Sequence, residues 1–184
     1  SELLADTCFF ISSYDFYLYG LLNSRVLEFV FKATSTIARG GFYRYKSQYV
    51  EKLPIPKKPE QEIISQIATQ CQANTEAKHK CEISFARRLK DLVPDQGVFK
   101  LNNKLSSWWE LDFASLQAEI KKAFKGSISL TERNDWQDYF ESEQTKRQQL
   151  QAKVTLLEDD LNQEVYKLFN LSTDEIALIE AEVK

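Results

Sequence analysis

A chain of 184 residues, 43% hydrophobic and 28% charged with 12% aromatic side chains, can bury about 70% of its unfolded surface and is too apolar to be disordered throughout. Five Gly and four Pro are too few turn formers for an all-β sandwich, so long helices are expected. The net charge of −3 excludes a uniformly basic chain but conceals an uneven distribution, taken up below. Cys8, Cys71 and Cys81 lack any paired CxxC spacing, which favours buried thiols in a reducing cytoplasm over a disulfide framework or a zinc site. No apolar run reaches the ~18 residues of a membrane span, and no signal peptide is evident. The chain contains no Met, as expected of a piece cut from a longer protein that begins upstream of Ser1.

Residues 7–13 are apolar and β-prone, predicting a short strand. Asp15 can cap a helix beginning at Phe16, with Leu18, Leu21 and Leu22 on one face. Asn23-Ser24 predicts a stop and restart, Ser24 capping a second helix through Leu27, Phe31 and Ala33. Gly40-Gly41 ends that unit. Phe42 to Tyr45 alternates aromatic and basic side chains, as a strand or extended loop does, and Leu53-Pro54-Ile55-Pro56 must be extended because proline disfavours helix at the residue before it.

Pro59, Glu60 and Glu62 open a helix whose apolar side carries Ile63, Ile67, Cys71, Phe85, Leu89 and Leu92. Its polar middle, Asn74 to Lys80, is expected to fray, and Pro94 to stop it. Asp112 can cap a helix with Phe113, Leu116, Ile120 and Phe124 on one face, ended by Gly126. From Glu132 to Phe169 a seam of Trp136, Phe140, Leu150, Val154, Leu157, Leu161 and Leu168, interrupted by Glu143 and Arg147, predicts about 55 Å of continuous helix. Ser172 and Glu175 have capping-box spacing, with Leu171 and Ile176 as its hydrophobic staple, so a short terminal helix should follow a sharp corner.

Catalytic constellations are scarce. His79 is the single histidine and sits between Lys78 and Lys80 on a solvated turn, so no Ser-His-Asp set can be assembled from this chain. Neither a GxGxxG nor a GxxxxGK[ST] phosphate cradle occurs. Pro94-Asp95 with Glu119-Ile120-Lys121 mimics the spacing of metal-dependent nucleases. However, Glu119 and Lys121 diverge on a helix, so the expectation is a loop aspartate and a solvated helix face.

The charge is concentrated instead. Residues 25–58 hold eight cations against Glu28 and Glu51, a local +6, flanked by −3 before and −6 after. Within this window Arg39-Gly40-Gly41-Phe42-Tyr43-Arg44-Tyr45-Lys46-Ser47-Gln48-Tyr49 interleaves cations with aromatics. Cations neutralise phosphates, aromatics pack on sugars or bases, and glutamine can read an adenine edge. The same alternation equally describes a half-buried edge strand with snorkelling Lys and Arg.

Residues 17–56, from Tyr-Leu-Tyr-Gly-Leu-Leu-Asn-Ser-Arg through Gly-Gly-Phe-Tyr-Arg-Tyr-Lys-Ser-Gln-Tyr to Leu-Pro-Ile-Pro, resemble the closing part of the target-recognition domain of adenine-specific DNA methyltransferases. The nearest likeness is to type IIG restriction-modification enzymes and the TaqI-like C-terminal specificity domain. Trp136-x-x-Tyr139-Phe140 and Glu164 to Ile176 resemble the C-terminal tail of the same enzymes. The methyltransferase tetrapeptide Asn/Asp-Pro-Pro-Tyr/Phe is absent, and the family's nuclease lies near the N-terminus of the parent enzyme. The resemblance therefore implies a non-catalytic fragment, with S-adenosylmethionine serving the parent's methyltransferase domain and no cofactor in this piece.

The expected fold is mainly α, with a small β-containing N-terminal remnant and a long C-terminal helical arm packed on a helical scaffold. Residues 1–58 would close the recognition domain and 59–184 would form the scaffold. The expected partners are duplex DNA and the methyltransferase domain of the parent chain, with or without a nuclease domain, in the cytoplasm and away from membranes. Arg39, Arg44, Lys46 and Lys52 are the candidates for phosphate contact, and Tyr43, Tyr45 and Gln48 for sugar or base contact. The alternative is a helical interaction or dimerisation module with no nucleic-acid role, favoured by the net −7 of residues 131–184.

Overall fold

The structure, a computed structural model, describes residues 14–37, 43, 45–57, 61–94 and 97–183. Among these the fold is mainly helical, with 74% of residues in helices. The helices are α1 (Phe16–Leu22), α2 (Arg25–Thr34), α3 (Ser47–Val50), α4 (Gln61–Leu89), α5 (Asn103–Ser106), α6 (Phe113–Phe124), α7 (Arg133–Leu168) and α8 (Thr173–Glu182), with 3-10 turns at Lys90–Leu92 and Trp108–Glu110. The small β-containing remnant is not supported. The segment 7–13, with Cys8, lies outside the described residues, and the only β feature among the described residues is an isolated antiparallel bridge between Ile37 and Tyr43.

Two compact units form, the first from Ser1–Gln72 with Thr155–Lys184 and the second from Ala73–Val154. In the first, Asp15 Oδ1 accepts from the N–H groups of Tyr17 (3.0 Å) and Leu18 (3.1 Å), starting α1 as its sequence predicts. Ser24 is fully buried. Its hydroxyl donates to the Leu21 carbonyl at 2.6 Å and accepts from Leu27 N–H at 3.4 Å, closing α1 and opening α2 within two residues. Tyr17, Leu21, Val26 and Leu27 pack with Ile64 of α4, Leu161, Val165 and Leu168 of α7 and Ile179 of α8. Burying a side chain of this size contributes about 1.5–3 kcal/mol, so α1 and α2 are held by packing rather than propensity. Gly20 permits the approach: a methyl there would lie 3.0 Å from Ile64 Cγ2 and 3.1 Å from Ala68 Cβ.

The end of α7 forms the expected sharp corner. Asn170 takes a left-handed conformation (φ 53°), its N–H donates to the Lys167 carbonyl at 3.0 Å, and Leu171 N–H donates to the Tyr166 carbonyl at 3.1 Å. This pairing satisfies the last carbonyls of the helix. Both halves of the Ser172–Glu175 capping box then open α8, and Leu171 and Ile176 pack against the core of this unit.

In the second unit Phe85 is fully buried, with Trp108 stacked on it at 3.9 Å and Phe140 at 5.8 Å between ring centroids. Leu105, Leu116, Ile120, Phe124 and Ile128 complete this core. Three expectations need correction. The polar stretch Asn74 to Lys80 does not fray: α4 runs unbroken to Leu89, because helix hydrogen bonds are local and its flanking apolar residues are anchored. Gly126 is not the left-handed cap of α6. Lys125 takes that conformation (φ 61°), and Gly126 is needed because a Cβ would lie 2.0 Å from the Leu92 carbonyl oxygen.

The third correction concerns the apparent breaks in the α7 seam. Glu143 and Arg147 face inward, each with only 15% of its side chain exposed. The Cys81 thiol lies 3.3 Å from Glu143 Oε2, and Arg147 Nε donates to Glu82 Oε1 at 2.9 Å with its guanidinium 4.2 Å over the Trp109 ring. Gln144 donates to the carbonyls of Trp109 (2.8 Å) and Leu111 (2.9 Å). This polar row fastens the Trp108-Trp109 turn. Burial first, then Glu143, pushes the Cys81 thiol up to about 11, which makes it a poor nucleophile.

Candidate nucleic-acid interface

The basic-aromatic window is built on Phe31, which α2 presents near its C-terminus and which is 98% removed from solvent. After Ser35 the chain turns back through the Ile37–Tyr43 bridge, and two tyrosines close over the Phe31 ring. Tyr43 meets it edge-on at 6.3 Å and 62°, and Tyr45 lies parallel to it at 4.2 Å and 4°. Tyr43 is half-buried. Tyr45 keeps 60% of its surface in solvent. Of the run from 42 to 45, expected as a strand or an extended loop, Tyr43 and Tyr45 are described, and they form an aromatic lid over Phe31.

Lys46 precedes α3 with extended backbone, and Lys46, Gln48 and Lys52 are all exposed. Arg39 and Arg44, with Gly40-Gly41 and Phe42, lie outside the described residues. Tyr49, which the sequence reading did not single out as a site residue, ties the loop together: its hydroxyl lies 3.3 Å from Thr36 Oγ1. Hydrogen bonding to Thr36 first, and then to Gln48, holds its phenol below the ordinary range. Beyond α3 the extended Leu53-Pro54-Ile55-Pro56 run is pinned where the Tyr17 hydroxyl donates to the Pro56 carbonyl.

The +6 of the window is not all available to a ligand. Arg25 pairs with Glu180 at 2.7 Å and with Asp159 at 3.3 Å, and Lys32 pairs with Glu28 at 2.7 Å. Lys46, Lys52 and Lys57 are exposed and make no ion pair among the described residues. Charge counting along the chain could not separate these groups, because the acids that claim Arg25 lie more than 130 positions away.

The nuclease-like spacing resolves into structure. Asp95 lies outside the described residues, and Glu119 is not on a solvated face: it is 92% buried. It accepts from Asn102 Nδ2 at 2.8 Å and pairs with Lys104 at 3.3 Å and Lys122 at 4.0 Å. Burial pushes its carboxyl up, but Asn102 and the two lysines together bring it below the usual carboxylate range. The reason is long-range: Asn102 caps α5 through its Oδ1 to Leu105 N–H (2.9 Å) and turns its amide nitrogen onto α6. His79 is exposed, 3.7 Å from Glu82. Among the described residues no group of His, Cys, Asp and Glu is arranged to hold a metal ion, and no helix is long and apolar enough to cross a membrane.

Residues 4–55 match the TaqI-like C-terminal specificity domain, in accord with the resemblance to type IIG restriction-modification enzymes carried by Leu-Leu-Asn-Ser, the Gly pair and Leu-Pro-Ile-Pro. No curated protein and no solved structure matches the chain. A second family model, described as a domain of unknown function (DUF8810), covers residues 57–165. With more than half of its length under that model and a specificity-domain segment before it, the chain belongs to the DUF8810 family.

Proposed function

We propose that the chain is a DNA target-recognition fragment of a restriction-modification adenine DNA methyltransferase. In this reading residues 1–58 close the recognition domain, 59–184 form its helical scaffold, and the fragment positions duplex DNA without turnover of its own. One observation carries it: the segment matched by the specificity-domain model holds exposed Lys46 and Lys52 together with the lid of Tyr43 and Tyr45, and exposed Lys57 lies two residues after its end. Lys46 and Lys52, with Arg39 and Arg44, would take phosphates. Tyr43, Tyr45 and Gln48 would take sugar or base edges. S-adenosylmethionine would serve the parent's methyltransferase domain, which would be this fragment's partner in the cytoplasm, joined by a nuclease domain where the parent also cuts.

The alternative of a dimerising helical module needs an apolar stripe left open on α7. The seam residues Phe140, Val154, Leu161 and Leu168 are instead buried inside the chain, and Trp136, Leu150 and Leu157 are half-buried, which supports the first reading. The test is anisotropy of a labelled duplex across a salt series. If Lys46 and Lys52 each neutralise one phosphate, the double change Lys46→Ala, Lys52→Ala lowers the slope of log K on log salt by about 1.8 and leaves the melting temperature unchanged. Absence of salt-dependent binding in both this chain and the parent's full recognition domain would overturn the proposal.

A further inference from the structure

We propose that the C-terminal half of α6, with Lys100 and Lys104 gathered beside it, is a second phosphate-contacting surface for duplex DNA, carried by the second compact unit. This rests on the DNA reading above and extends it from the specificity-domain segment into the segment covered by the DUF8810 model.

Three separate stretches of chain bring five lysines to this place. Lys121, Lys122 and Lys125 close α6. Lys104 comes from α5, and its ammonium and that of Lys122 flank one carboxylate, Glu119, at 3.3 and 4.0 Å. Lys100 stands between two residues anchored on α6: Phe99, whose ring lies 5.4 Å from that of Phe124, and Asn102, whose amide donates to Glu119 at 2.8 Å. The stretch from 99 to 102 therefore runs along the last turns of α6. All five lysines are exposed, and Glu119, 92% buried, is the one acid interleaved with them. Glu110 and Asp112 stand at the opposite end of α6, about 18 Å away at 1.5 Å per residue. Asp91, near the turn that Gly126 meets, is engaged by Arg88 at 3.7 Å.

Ordinary helix electrostatics account for only part of this set. Cations complement the carbonyl end of a helix within its last turn, which covers Lys121, Lys122 and Lys125, but Lys100 and Lys104 belong to other segments. Lys100, Lys121 and Lys125 make no ion pair among the described residues. Lys104 and Lys122 share Glu119 and still keep 67% and 75% of their side chains exposed. Phe99, Leu105 and Ile120 pack into the core below, so the backbone that carries the lysines is already ordered and binding has little of it to fix. Ammoniums spread over an exposed face suit a polyanion, which meets several at once and releases counterions for each phosphate neutralised. Such contacts carry no sequence information, so this surface would set how the duplex lies and leave base reading to the specificity segment.

The experiment measures anisotropy of two labelled duplexes of unrelated sequence across a salt series, well below the melting temperature of each variant. Combining Lys100→Gln, Lys121→Gln and Lys125→Gln should lower the slope of log K on log salt by about 0.9 for each lysine that meets a phosphate, about 2.7 in all. The loss should be equal on both duplexes, should recur in the Lys46→Ala, Lys52→Ala background, and should leave the melting temperature unchanged. Lys104→Gln and Lys122→Gln are tested together with Glu119→Gln, so that no buried carboxylate is left unpaired, and should remove about 1.8 more. An unaltered slope, whether melting holds or falls, would overturn the second surface and leave the DNA reading standing, the lysines then serving only the helix end. A loss confined to one duplex would overturn it in favour of base contact. No salt-dependent binding by the unaltered chain or by the parent's full recognition domain would remove both.

Discussion

Arg25 holds Glu180 through a single guanidinium nitrogen, Nη1, which lies 2.7 Å from both carboxylate oxygens. The Tyr166 hydroxyl donates to the same Oε1 at 2.5 Å, Arg25 Nη2 reaches Asp159 at 3.3 Å, and the Arg25 N–H donates to the buried Asn162 Oδ1 at 2.9 Å. The first residue of α2, inside the specificity-domain match, is thereby fastened to α7 and to the terminal helix α8. The first cation of the basic window is a clamp within the fold.

Replacing Arg25 with Ala should therefore lower stability and leave DNA electrostatics alone. The side chain is 37% exposed, so the expected loss is about 1–2 kcal/mol, between that of an open ion pair and that of a covered charged hydrogen bond. The backbone bond to Asn162 survives the change. Thermal melting should fall while the salt slope of duplex binding stays at its wild-type value. A slope reduced by about 0.9 with unaltered melting would instead make Arg25 a phosphate contact.

Alkaline pH should loosen both units. Burial, reinforced by the bond to Glu180 and opposed by Arg25, pushes the Tyr166 phenol up to about 12 from an ordinary 10.0, and the Cys81 thiol stands at about 11 against 9.0. Raised values favour the protonated form in the native state. The stabilisation is thus complete below pH 9 and is lost as pH rises through about 11 for Cys81 and about 12 for Tyr166, on the order of 2 kcal/mol each. Urea midpoints measured from pH 8 to 12 should fall, less steeply above pH 10 in Tyr166→Phe and less steeply between pH 9 and 11 in Cys81→Ala.

Gly126→Ala should be among the most damaging single changes in the second unit. The added methyl would sit 2.0 Å from a backbone oxygen, that of Leu92, and backbone cannot rotate aside as a side chain can. A loss on the order of 2 kcal/mol or more is expected. An unchanged denaturation midpoint would contradict the close approach.

The inward polar row of α7 can be tested as a coupled pair. Arg147→Met keeps the unbranched stem of the side chain but leaves Glu82, 18% exposed, without its 2.9 Å partner and removes the cation over Trp109. The expected cost is about 1–3 kcal/mol. Glu82→Gln in the Arg147→Met background should recover part of it, and a double-mutant cycle that closes to zero coupling would rule out the pair.

Local chemistry made much of this protein legible in its sequence. The caps Asp15, Ser24, Asp112 and Ser172 with Glu175 act on N–H groups two or three residues ahead, and the periodic apolar seam of α7 marks its own inward stripe, so helix starts, the corner at Asn170 and most core residues follow from short-range pattern. The fate of the polar residues did not. Arg25 is claimed from 155 positions away, Arg147 from 65, Cys81 from 62 and Glu119 from 17. Whether a charge faces solvent or a buried partner depends on which segments the fold brings together, and no local spacing encodes that. The same reason applies at the candidate interface. The alternation of Tyr43, Tyr45 and Lys46 is visible in the chain, but only the packing of Phe31 against the tyrosines turns that alternation into a fixed aromatic lid followed by an exposed lysine.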